Sequence, residues 1–385
     1  MFRVETVRLV LAAGVALAAV VIVVQLVWGH LSIPSLRDVP PASDGLATAV
    51  IVAARDEERH IRASVSSLLS QTYPALEVIV VNDRSTDATG TILDDLAREE
   101  PRLRVVHVDA LPDGWLGKNH AMQLGARAAG AELLIFADGD VVMAPDAIAR
   151  ASRLMTTLRI DHLAVAPDMR LPTWPLALVV NYFMMWFLLY LKPWRAQDPK
   201  STAFIGIGAF NMVRASAFHA VDGFARIALR PDDDIMLGKL LKRHGHRQLL
   251  ATADGTVAVE WYQTLGELAR GFRKNAFAGM HYSLLLTIGA VAGNVVLCIW
   301  PFIAAWITSG AERWLYLTAV VAQIVAYAGG AFVGRTRPWL AILYPVAAVL
   351  FVSILTAAVF RTLRRRGIEW RGTFYALDRL RANRI

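Results

Sequence analysis

The stretch Glu132-Leu-Leu-Ile-Phe-Ala-Asp-Gly-Asp140 decides the fold of this 385-residue chain. Its apolar part predicts a buried β-strand that ends in two carboxylates, Asp138 and Asp140. Gly139 between them has no side chain, so a ligand can approach the backbone closely. Two carboxylates at the carboxyl end of a strand can hold a divalent cation against a diphosphate. Taken alone, the stretch also fits a solvated Asp-Gly turn after a strand.

Short apolar segments alternate with amphipathic ones on both sides of this strand, which is typical of an α/β sheet with mostly parallel strands. Polar turns follow the strands, and the carboxyl ends of parallel strands meet at one edge of a sheet, where ligands bind. We expect strands at 47–53, 76–81, 103–108 and 132–136, and helices at 57–70, 87–99, 119–129 and 232–245.

An ordered set of motifs supports an enzymatic interpretation of this sheet. The motifs are Val50-Ile-Val-Ala-Ala-Arg-Asp-Glu-Glu58, Ser67-Leu-Leu-Ser-Gln-Thr-Tyr-Pro74, Glu77-Val-Ile-Val-Val-Asn-Asp-Arg-Ser-Thr-Asp87 and Ala137-Asp-Gly-Asp140. In order and spacing they resemble the family 2 glycosyltransferases, which have a GT-A fold. The resemblance implies a hexosyltransferase domain over residues 47–280 and a nucleotide-sugar donor, with a UDP-sugar as the first expectation.

The resemblance also assigns residues to the donor site. The carboxylate after the second strand, Asp83, contacts the nucleotide base in similar enzymes, and the Asp-x-Asp pair binds the donor diphosphate and a metal, Mg²⁺ or Mn²⁺. The stretch Gly114-Trp-Leu-Gly-Lys118 looks closest to family members that glycosylate carotenoid or hopanoid-type lipids. The expected donor-binding residues are Ala53, Arg55, Asp83, Lys118 and Asp138, and the expected metal ligands are Asp138 and Asp140.

A third carboxylate is needed near the acceptor, because direct displacement at the anomeric carbon requires a base. The run Arg230-Pro-Asp-Asp-Asp-Ile235 resembles the acidic pair that begins a helix in the family. By that match, Asp234 is the general base and Asp233 is its neighbour, which makes the enzyme inverting. The alternative is that Asp232 and Asp233 only cap a helix, where negative charge is favourable by about 0.3–1 kcal/mol.

The segments expected on the acceptor side resemble the family's motifs less closely than the donor-side segments do. Processive polysaccharide synthases carry a Gln-x-x-Arg-Trp motif, whereas Arg270-Gly-Phe-Arg-Lys-Asn-Ala276 lacks both the Gln and the Trp. This departure favours transfer of a single sugar, with a processive synthase or a catalytically inactive family member as the alternatives. The expected acceptor or phosphate contacts are Gly208, Arg270, Arg273 and Lys274, although a basic face at the membrane surface would explain the last three equally well.

The composition places part of the chain in lipid. Hydrophobic residues make up 56% of it. The run Leu9–Trp28 predicts an uncleaved anchor, because it is longer than the core of a signal peptide and lacks a small-x-small cleavage site. The formal charge of +8 is concentrated after residue 360, which indicates anionic lipid and argues against nucleic acid. The lone Cys298 implies no disulfide within the chain.

The expected organisation is therefore a multi-pass protein of the inner (plasma) membrane with a cytoplasmic catalytic domain and a lipid acceptor. Its segments are an anchor (1–30), a linker (31–46), the GT-A domain (47–280) with an interfacial helix (175–191), three spans (281–361) and a basic tail (362–385). Three spans after a cytoplasmic domain would place the arginine-rich tail outside, against the positive-inside tendency. Either one apolar run does not cross, with the run Tyr282–Thr308 that contains Pro301 as the candidate for irregular or re-entrant packing, or the tendency is violated.

Overall fold

The computed structural model describes residues 2–43 and 45–383; Met1, Asp44 of the predicted linker and Arg384 and Ile385 of the predicted tail lie outside the described residues. The chain forms two compact units, each assembled from separated pieces. The sheet unit contains Ser32–Arg170, Lys192–Trp261 and Ala382–Ile385. The helical unit contains Met1–Leu31, Leu171–Leu191 and Tyr262–Arg381.

The elements alternate along the chain as the apolar pattern predicts. The helices are α1 (Phe2–Ser32), α2 (Ile61–Leu69), α3 (Thr89–Glu99), α4 (Gly117–Ala128), α5 (Ala147–Leu158), α6 (Trp174–Leu191), α7 (Ala215–Ala220), α8 (Asp233–Arg243), α9 (Leu265–Gly279), α10 (Leu284–Asn294), α11 (Trp300–Ile307), α12 (Gly310–Val333), α13 (Tyr344–Arg365) and α14 (Leu377–Ala382). The strands are β1 (Thr48–Ala54), β2 (Leu76–Asp83), β3 (Leu103–Val108), β4 (Leu133–Asp138), β5 (Val141–Met143), β6 (His162–Ala166), β7 (Asp168–Met169), β8 (Asn211–Arg214), β9 (Gln248–Thr252), β10 (Val257–Val259), β11 (Gly367–Trp370) and β12 (Thr373–Ala376).

A seven-stranded sheet in the order β3-β2-β1-β4-β8-β6-β9 forms the centre of the sheet unit. Strand β8 is antiparallel to both of its neighbours, and the other pairs are parallel. The predicted α/β fold with a mostly parallel sheet is therefore confirmed. Strands β5, β10 and β7 form a smaller sheet of three.

Alternate side chains of the central strands enter two separate cores. Val50 and Val52 of β1 belong to a core that also contains residues of α2, α3 and α5. Ala49 and Ile51 point to the opposite face and share a core with residues of α4 and α8. Because both faces of the sheet are covered, the strands read as continuous apolar runs, as is usual for parallel sheets.

Five helices of the chain's described part are long and apolar enough to cross a membrane: Glu5–Ser32, Trp174–Arg195, Leu284–Ile307, Gly310–Val333 and Pro338–Arg365. Apart from Ser32 and residues 192–195, they belong to the helical unit. They include the four predicted spans and the predicted interfacial helix at 175–191. A π-helical stretch, Val295–Ile299, joins α10 to α11. Strands β11 and β12 form an antiparallel hairpin after α13.

Helix α8 lies so close to the preceding loop that one of its positions requires glycine. A Cβ on Gly238 would lie 1.8 Å from the backbone oxygen of Ile205. We expect Gly238→Ala to destabilise the sheet unit by about 1–3 kcal/mol, because backbone atoms would have to move apart. The measurement is thermal unfolding of the detergent-purified protein. Gly266→Ala on α9 is the control, since its Cβ would make only ordinary contacts, the nearest at 3.5 Å. An equal melting temperature for both variants would contradict the close packing.

Candidate active site

The register of the sheet brings the predicted donor residues to one edge. Ala53 of β1 is paired with Asp138 on one side and with Val81 on the other. Asp83 ends β2, one strand away from β4 across β1. The sheet therefore places Ala53, Asp83 and Asp138 together at the carboxyl ends of three adjacent parallel strands.

Asp83 is held by two arginines. Arg84 Nε and Nη2 donate to its two carboxylate oxygens at 2.7 and 3.0 Å, and Arg55 Nη1 lies 3.8 Å from Oδ2. The Asp83 side chain is only 4% exposed. Gly117, the first residue of α4, leaves room for this group, because a Cβ there would lie 2.1 Å from Asp83 Oδ2. The sequence interpretation found Asp83 and Arg55 but gave no role to Arg84, which adopts a positive φ of 56° beside this contact.

The loops after β1 and β2 bond each other reciprocally. Backbone N–H groups after β1 donate to side chains after β2, and backbone N–H groups after β2 donate to carboxylates after β1. The bonds are Asp56 N to Ser85 Oγ, Glu57 N to Thr89 Oγ1, Glu58 N to Asp87 Oδ2, Thr86 N to Asp56 Oδ1 and Ala88 N to Glu58 Oε2. The edge that carries Asp83 is therefore rigidly built before any ligand binds.

Asp138 and Asp140 offer oxygen ligands of the kind that Mg²⁺ and Mn²⁺ prefer. Burial, followed by the neighbouring carboxylates of Asp138 and Glu57, raises the pKa of Asp140 to about 7. A cation at this place would relieve that repulsion. No group of three or more His, Cys, Asp or Glu side chains in the described chain could hold a metal by itself. In phosphate sites Mg²⁺ often binds one or two carboxylates and completes its shell with phosphate and water.

Gly139 is not required by the protein's own packing. A Cβ there would make ordinary contacts, 3.5 Å from Glu57 Cγ and 3.6 Å from the Ala53 oxygen. The close approach that we expect at this glycine would therefore be to a ligand.

Lys118 joins the two acidic groups of the site. Its Nζ lies 2.8 Å from Asp138 Oδ1 and 3.2 Å from Asp233 Oδ2. Burial alone would lower the pKa of Lys118, but the carboxylates of Asp138, Asp233 and Asp234 outweigh it and raise the pKa well above the ordinary value. Lys118 is therefore a permanent cation between the strand edge and helix α8.

The three aspartates at the start of α8 have three different environments. Asp232 forms a buried two-point ion pair with Arg230, at 2.9 and 2.6 Å, and its side chain does not cap the helix. Asp233 contacts Lys118. Asp232 is the N-cap residue by position but makes no capping hydrogen bond with its side chain, and both carboxylates also have cationic partners.

Asp234 is partly buried, whereas Asp232 and Asp233 are buried. Its Oδ1 accepts a 2.9 Å hydrogen bond from the Ile235 N–H. Burial, followed by the charge of Asp233, raises the pKa of Asp234 to about 7. A carboxylate with a pKa near neutrality can accept and release a proton under physiological conditions.

Two glycines bring the acceptor-side loop against this carboxylate. A Cβ on Gly206 would lie 1.8 Å from the Asp234 backbone oxygen. A Cβ on Gly208 would lie 2.7 Å from Asp138 Oδ2 and 3.3 Å from Asp234 Oδ2. Gly208, a predicted site residue, therefore lies where the Asp-x-Asp carboxylate and the predicted base converge.

Asn119 is a residue that sequence reasoning missed. Its buried Nδ2 donates to the backbone oxygens of Ile227 at 2.8 Å and Arg230 at 2.9 Å, and the Ala228 oxygen lies at 3.3 Å. It thereby ties the first turn of α4 to the loop that leads into α8. The only sequence signal was its position directly after Lys118, and the carbonyls that it binds are more than 100 residues away.

Three predicted contacts lie outside the sheet unit. Arg270, Arg273 and Lys274 belong to α9 of the helical unit. Arg270 lies 4.0 Å from Glu267, and Lys274 Nζ lies 4.3 Å from the centre of the Trp370 ring. Their predicted role towards phosphate or acceptor stays a prediction.

Comparison with known proteins agrees with this geometry. Residues 49–221 match the Glycosyl transferase family 2 model. Four curated relatives that are 33% to 41% identical match over only 18% to 29% of their own length, so the chain spans less than a third of them. One of these is the beta-monoglucosyldiacylglycerol synthase of Synechocystis, 36% identical over 147 residues, which is 33% of this chain and 29% of that relative.

A longer alignment joins the chain to the 4,4'-diaponeurosporenoate glycosyltransferase of Staphylococcus aureus, which is 22% identical over 355 residues, 86% of this chain and 89% of the relative. Among solved structures, the mannosyltransferase PcManGT of Pyrobaculum calidifontis, in complex with GDP-Man and Mn²⁺, has a TM-score of 0.52 at 19% identity. The similarity covers 92% of this chain and 99% of that one, which shows a shared GT-A-like fold. The match to the Glycosyl transferase family 2 model covers a little less than half of the chain, and the chain resembles glycosyltransferases over most of its length.

Proposed function

We propose that the protein transfers one sugar from a nucleotide-sugar donor to the hydroxyl group of a membrane lipid, with inversion at the anomeric carbon. The observation that carries the proposal is the convergence of Asp138 and Asp234 on Gly208, with Oδ2 atoms 2.7 and 3.3 Å from the position of a Cβ there. Displacement at the anomeric carbon requires a stabilised leaving group on one side and a base near the incoming hydroxyl on the other. Asp234 can supply the base, and Asp138 would help to hold the metal that stabilises the leaving group.

In the proposed reaction the acceptor oxygen forms a bond to the anomeric carbon while the bond from that carbon to the donor diphosphate breaks. Asp234 takes the proton of the acceptor hydroxyl, and the nucleoside diphosphate leaves with the bonding electrons. Lys118 is close enough to Asp138 and Asp233 to place its positive charge beside the diphosphate. Asp83 receives the nucleotide base at the end of β2.

A divalent metal would be held by Asp138 and Asp140, and when bound it would stabilise the negative charge that develops on the leaving diphosphate. The carboxylate oxygens and the raised pKa of Asp140 support this assignment. Mn²⁺ is a suitable first probe, because the structure of PcManGT contains it.

A lipid acceptor is supported by two observations. Five helices in the described part of the chain are long and apolar enough to cross a membrane. The names of two relatives, a diaponeurosporenoate glycosyltransferase and a monoglucosyldiacylglycerol synthase, describe glycosylation of lipids. We therefore propose that the enzyme is an integral protein of the inner (plasma) membrane, with its catalytic domain in the cytoplasm, where nucleotide sugars are made.

Asp234→Asn tests the proposed base. We expect transfer to fall by about 10²- to 10⁴-fold while donor binding persists, because the amide cannot accept the acceptor proton. Purified protein with Mn²⁺, a panel of radiolabelled nucleotide sugars and a total lipid extract gives the measurement, with lipid products separated by chromatography. Asp95→Asn, an exposed carboxylate on α3, is the matched control. Labelled lipid made by Asp234→Asn at the control rate would refute the assignment, and labelled polymer from the unsubstituted protein would favour a processive synthase.

The pH dependence of transfer tests the environment of Asp234. Because its pKa is raised to about 7, the base is ionised above that pH and becomes protonated as the pH falls through 7. We expect kcat/KM to fall about tenfold per pH unit below pH 7 and to level off above it, at saturating metal. Asp233→Asn should move the falling limb to lower pH, since it removes a negative charge that raises the pKa of Asp234. A profile that is flat from about pH 5 to 8 would contradict the proposal.

Lys118→Met tests the cation between the acidic groups. Its Nζ contacts both Asp138 and Asp233, and the side chain is about one-fifth exposed. Loss of the charge leaves these carboxylates facing each other, so we expect the KM for the donor to rise by about 5- to 100-fold. Steady-state kinetics with increasing donor gives the result, and Lys200→Met in an exposed loop is the control. An unchanged donor KM would exclude Lys118 from the donor site.

A further inference from the structure

We infer that three segments cross the membrane, namely α1, the continuous α10–α11 segment and α12, and that α6 and α13 each begin and end on the side of the catalytic domain without crossing. The inference rests on where the chain leaves and re-enters the sheet unit, and on contacts inside the helical unit. It holds for any sugar and any acceptor.

Helix α6 begins and ends on the same side of the membrane. Strands that precede it, β4 and β6, pair with strands that follow it, β8 and β9. A hydrogen-bonded sheet with open edges cannot straddle the hydrocarbon layer, so all of these strands lie on one side. The excursion Leu171–Leu191 contains one long helix, and a single crossing would leave the chain on the wrong side.

The carboxyl-terminal excursion also returns to its starting side. After Trp261 the chain leaves the sheet unit, and Asn383 belongs to it again. Asn383 Oδ1 accepts a 2.9 Å bond from the Leu229 N–H, and its Nδ2 donates to the Arg226 oxygen at 3.2 Å. An even number of crossings must therefore lie between Trp261 and Asn383. The excursion contains three candidate helices, so one of them does not cross.

Contacts with α1 identify the crossing pair. The chain enters the sheet unit after α1, so the first turns of α1 lie on the opposite side of the membrane. Arg8 in these turns forms a 3.0 Å ion pair with Glu312 at the start of α12. Ala12 and Ala19 of α1 share a core with Ala304 of α11 and with residues of α12. The tight turn at residues 308–309 is therefore on the far side, α10–α11 leads to it, and α12 returns.

Helix α13 is the candidate that remains, so it begins and ends on the side of the catalytic domain. Its Phe351 ring packs against Tyr182 of α6 at 5.6 Å and against Phe272 of α9 at 6.4 Å. At its start, the Tyr344 ring packs against Phe302 of α11 at 5.7 Å and against Tyr327 of α12 at 6.0 Å. Helix α13 therefore packs against the non-crossing α6 as well as against the crossing segments.

The charge distribution agrees with this arrangement. It places Arg335 and Arg337, which follow α12, and the arginines of residues 361–381 on the side of the catalytic domain. If that side is cytoplasmic, the positive-inside tendency is satisfied and the conflict raised by three carboxyl-terminal spans disappears. The basic residues at the end of α13 would then contact anionic headgroups.

Single-cysteine labelling tests the inference, and the chain suits it because Cys298 is the only cysteine. In a Cys298→Ser background, one cysteine is introduced at a time. The positions are Glu5→Cys and Ser309→Cys for the far side, Thr173→Cys, Arg337→Cys and Asp378→Cys for the near side, and Asp95→Cys as the catalytic-domain reference. Cells that express each variant are treated with a membrane-impermeant maleimide before and after permeabilisation, and retained sugar transfer in isolated membranes confirms folding.

We expect Thr173→Cys, Arg337→Cys and Asp378→Cys to share the labelling behaviour of Asp95→Cys, and Glu5→Cys and Ser309→Cys to show the opposite behaviour. Asp378→Cys labelled together with Ser309→Cys would mean that α13 crosses, and Ser309→Cys labelled together with Asp95→Cys would mean that the hairpin does not. An epitope tag appended after Ile385, probed with antibody in intact and permeabilised cells, gives the same answer without substitution. A tag on the side opposite to Asp95→Cys would overturn the inference even if sugar transfer is confirmed.

Discussion

The crowding of carboxylates between the end of β4 and the start of α8 is the constraint on which the rest of the site depends. Burial and neighbouring negative charge raise the pKa values of Asp140 and Asp234, so repulsion is built into the protein without ligands. Lys118 offsets part of it through its contacts with Asp138 and Asp233. The residues on both sides of this lysine hold it in place, because Gly117 leaves room for Asp83 and Asn119 binds the loop before α8.

The architecture could be predicted because buried parallel strands and their helices have strong local patterns. The ends of the elements could not be predicted where they depend on contacts with residues distant in the sequence. The helix expected from Glu57 begins at Ile61, and the Glu57 and Glu58 N–H groups before it donate to the Thr89 and Asp87 side chains. These partners follow β2, and nothing in the sequence around α2 predicts the contact.

The candidate site likewise contains residues that could be predicted from the sequence and residues that could not. The acidic residues and Lys118 belong to motifs with fixed spacing, so they could be named from sequence, and the sheet unit brings Asp83, Asp138 and Asp234 into one site. The residues that position them could not be named, because Asn119 binds carbonyls more than 100 residues away and the Arg230–Asp232 pair reads like a helix cap. The same sequence, an aspartate at the start of a helix, fits both a helix cap and a buried ion pair. Only the surrounding packing shows which of the two roles the aspartate has.

Membrane topology is the property that the local hydropathy pattern predicts least well. An apolar window measures whether a helix tolerates lipid, but the number of crossings is fixed by where the chain must return. The pairing of β4 with β8 decides the path of α6, and the contacts of Asn383 decide the path of the last three apolar helices. By composition α13 is more apolar than α12, yet in the arrangement we infer, the return of the chain and the Arg8–Glu312 ion pair make α12 the crossing helix and leave α13 on one side. A long-range hydrogen bond therefore outranks hydropathy in deciding which side of the membrane each segment occupies.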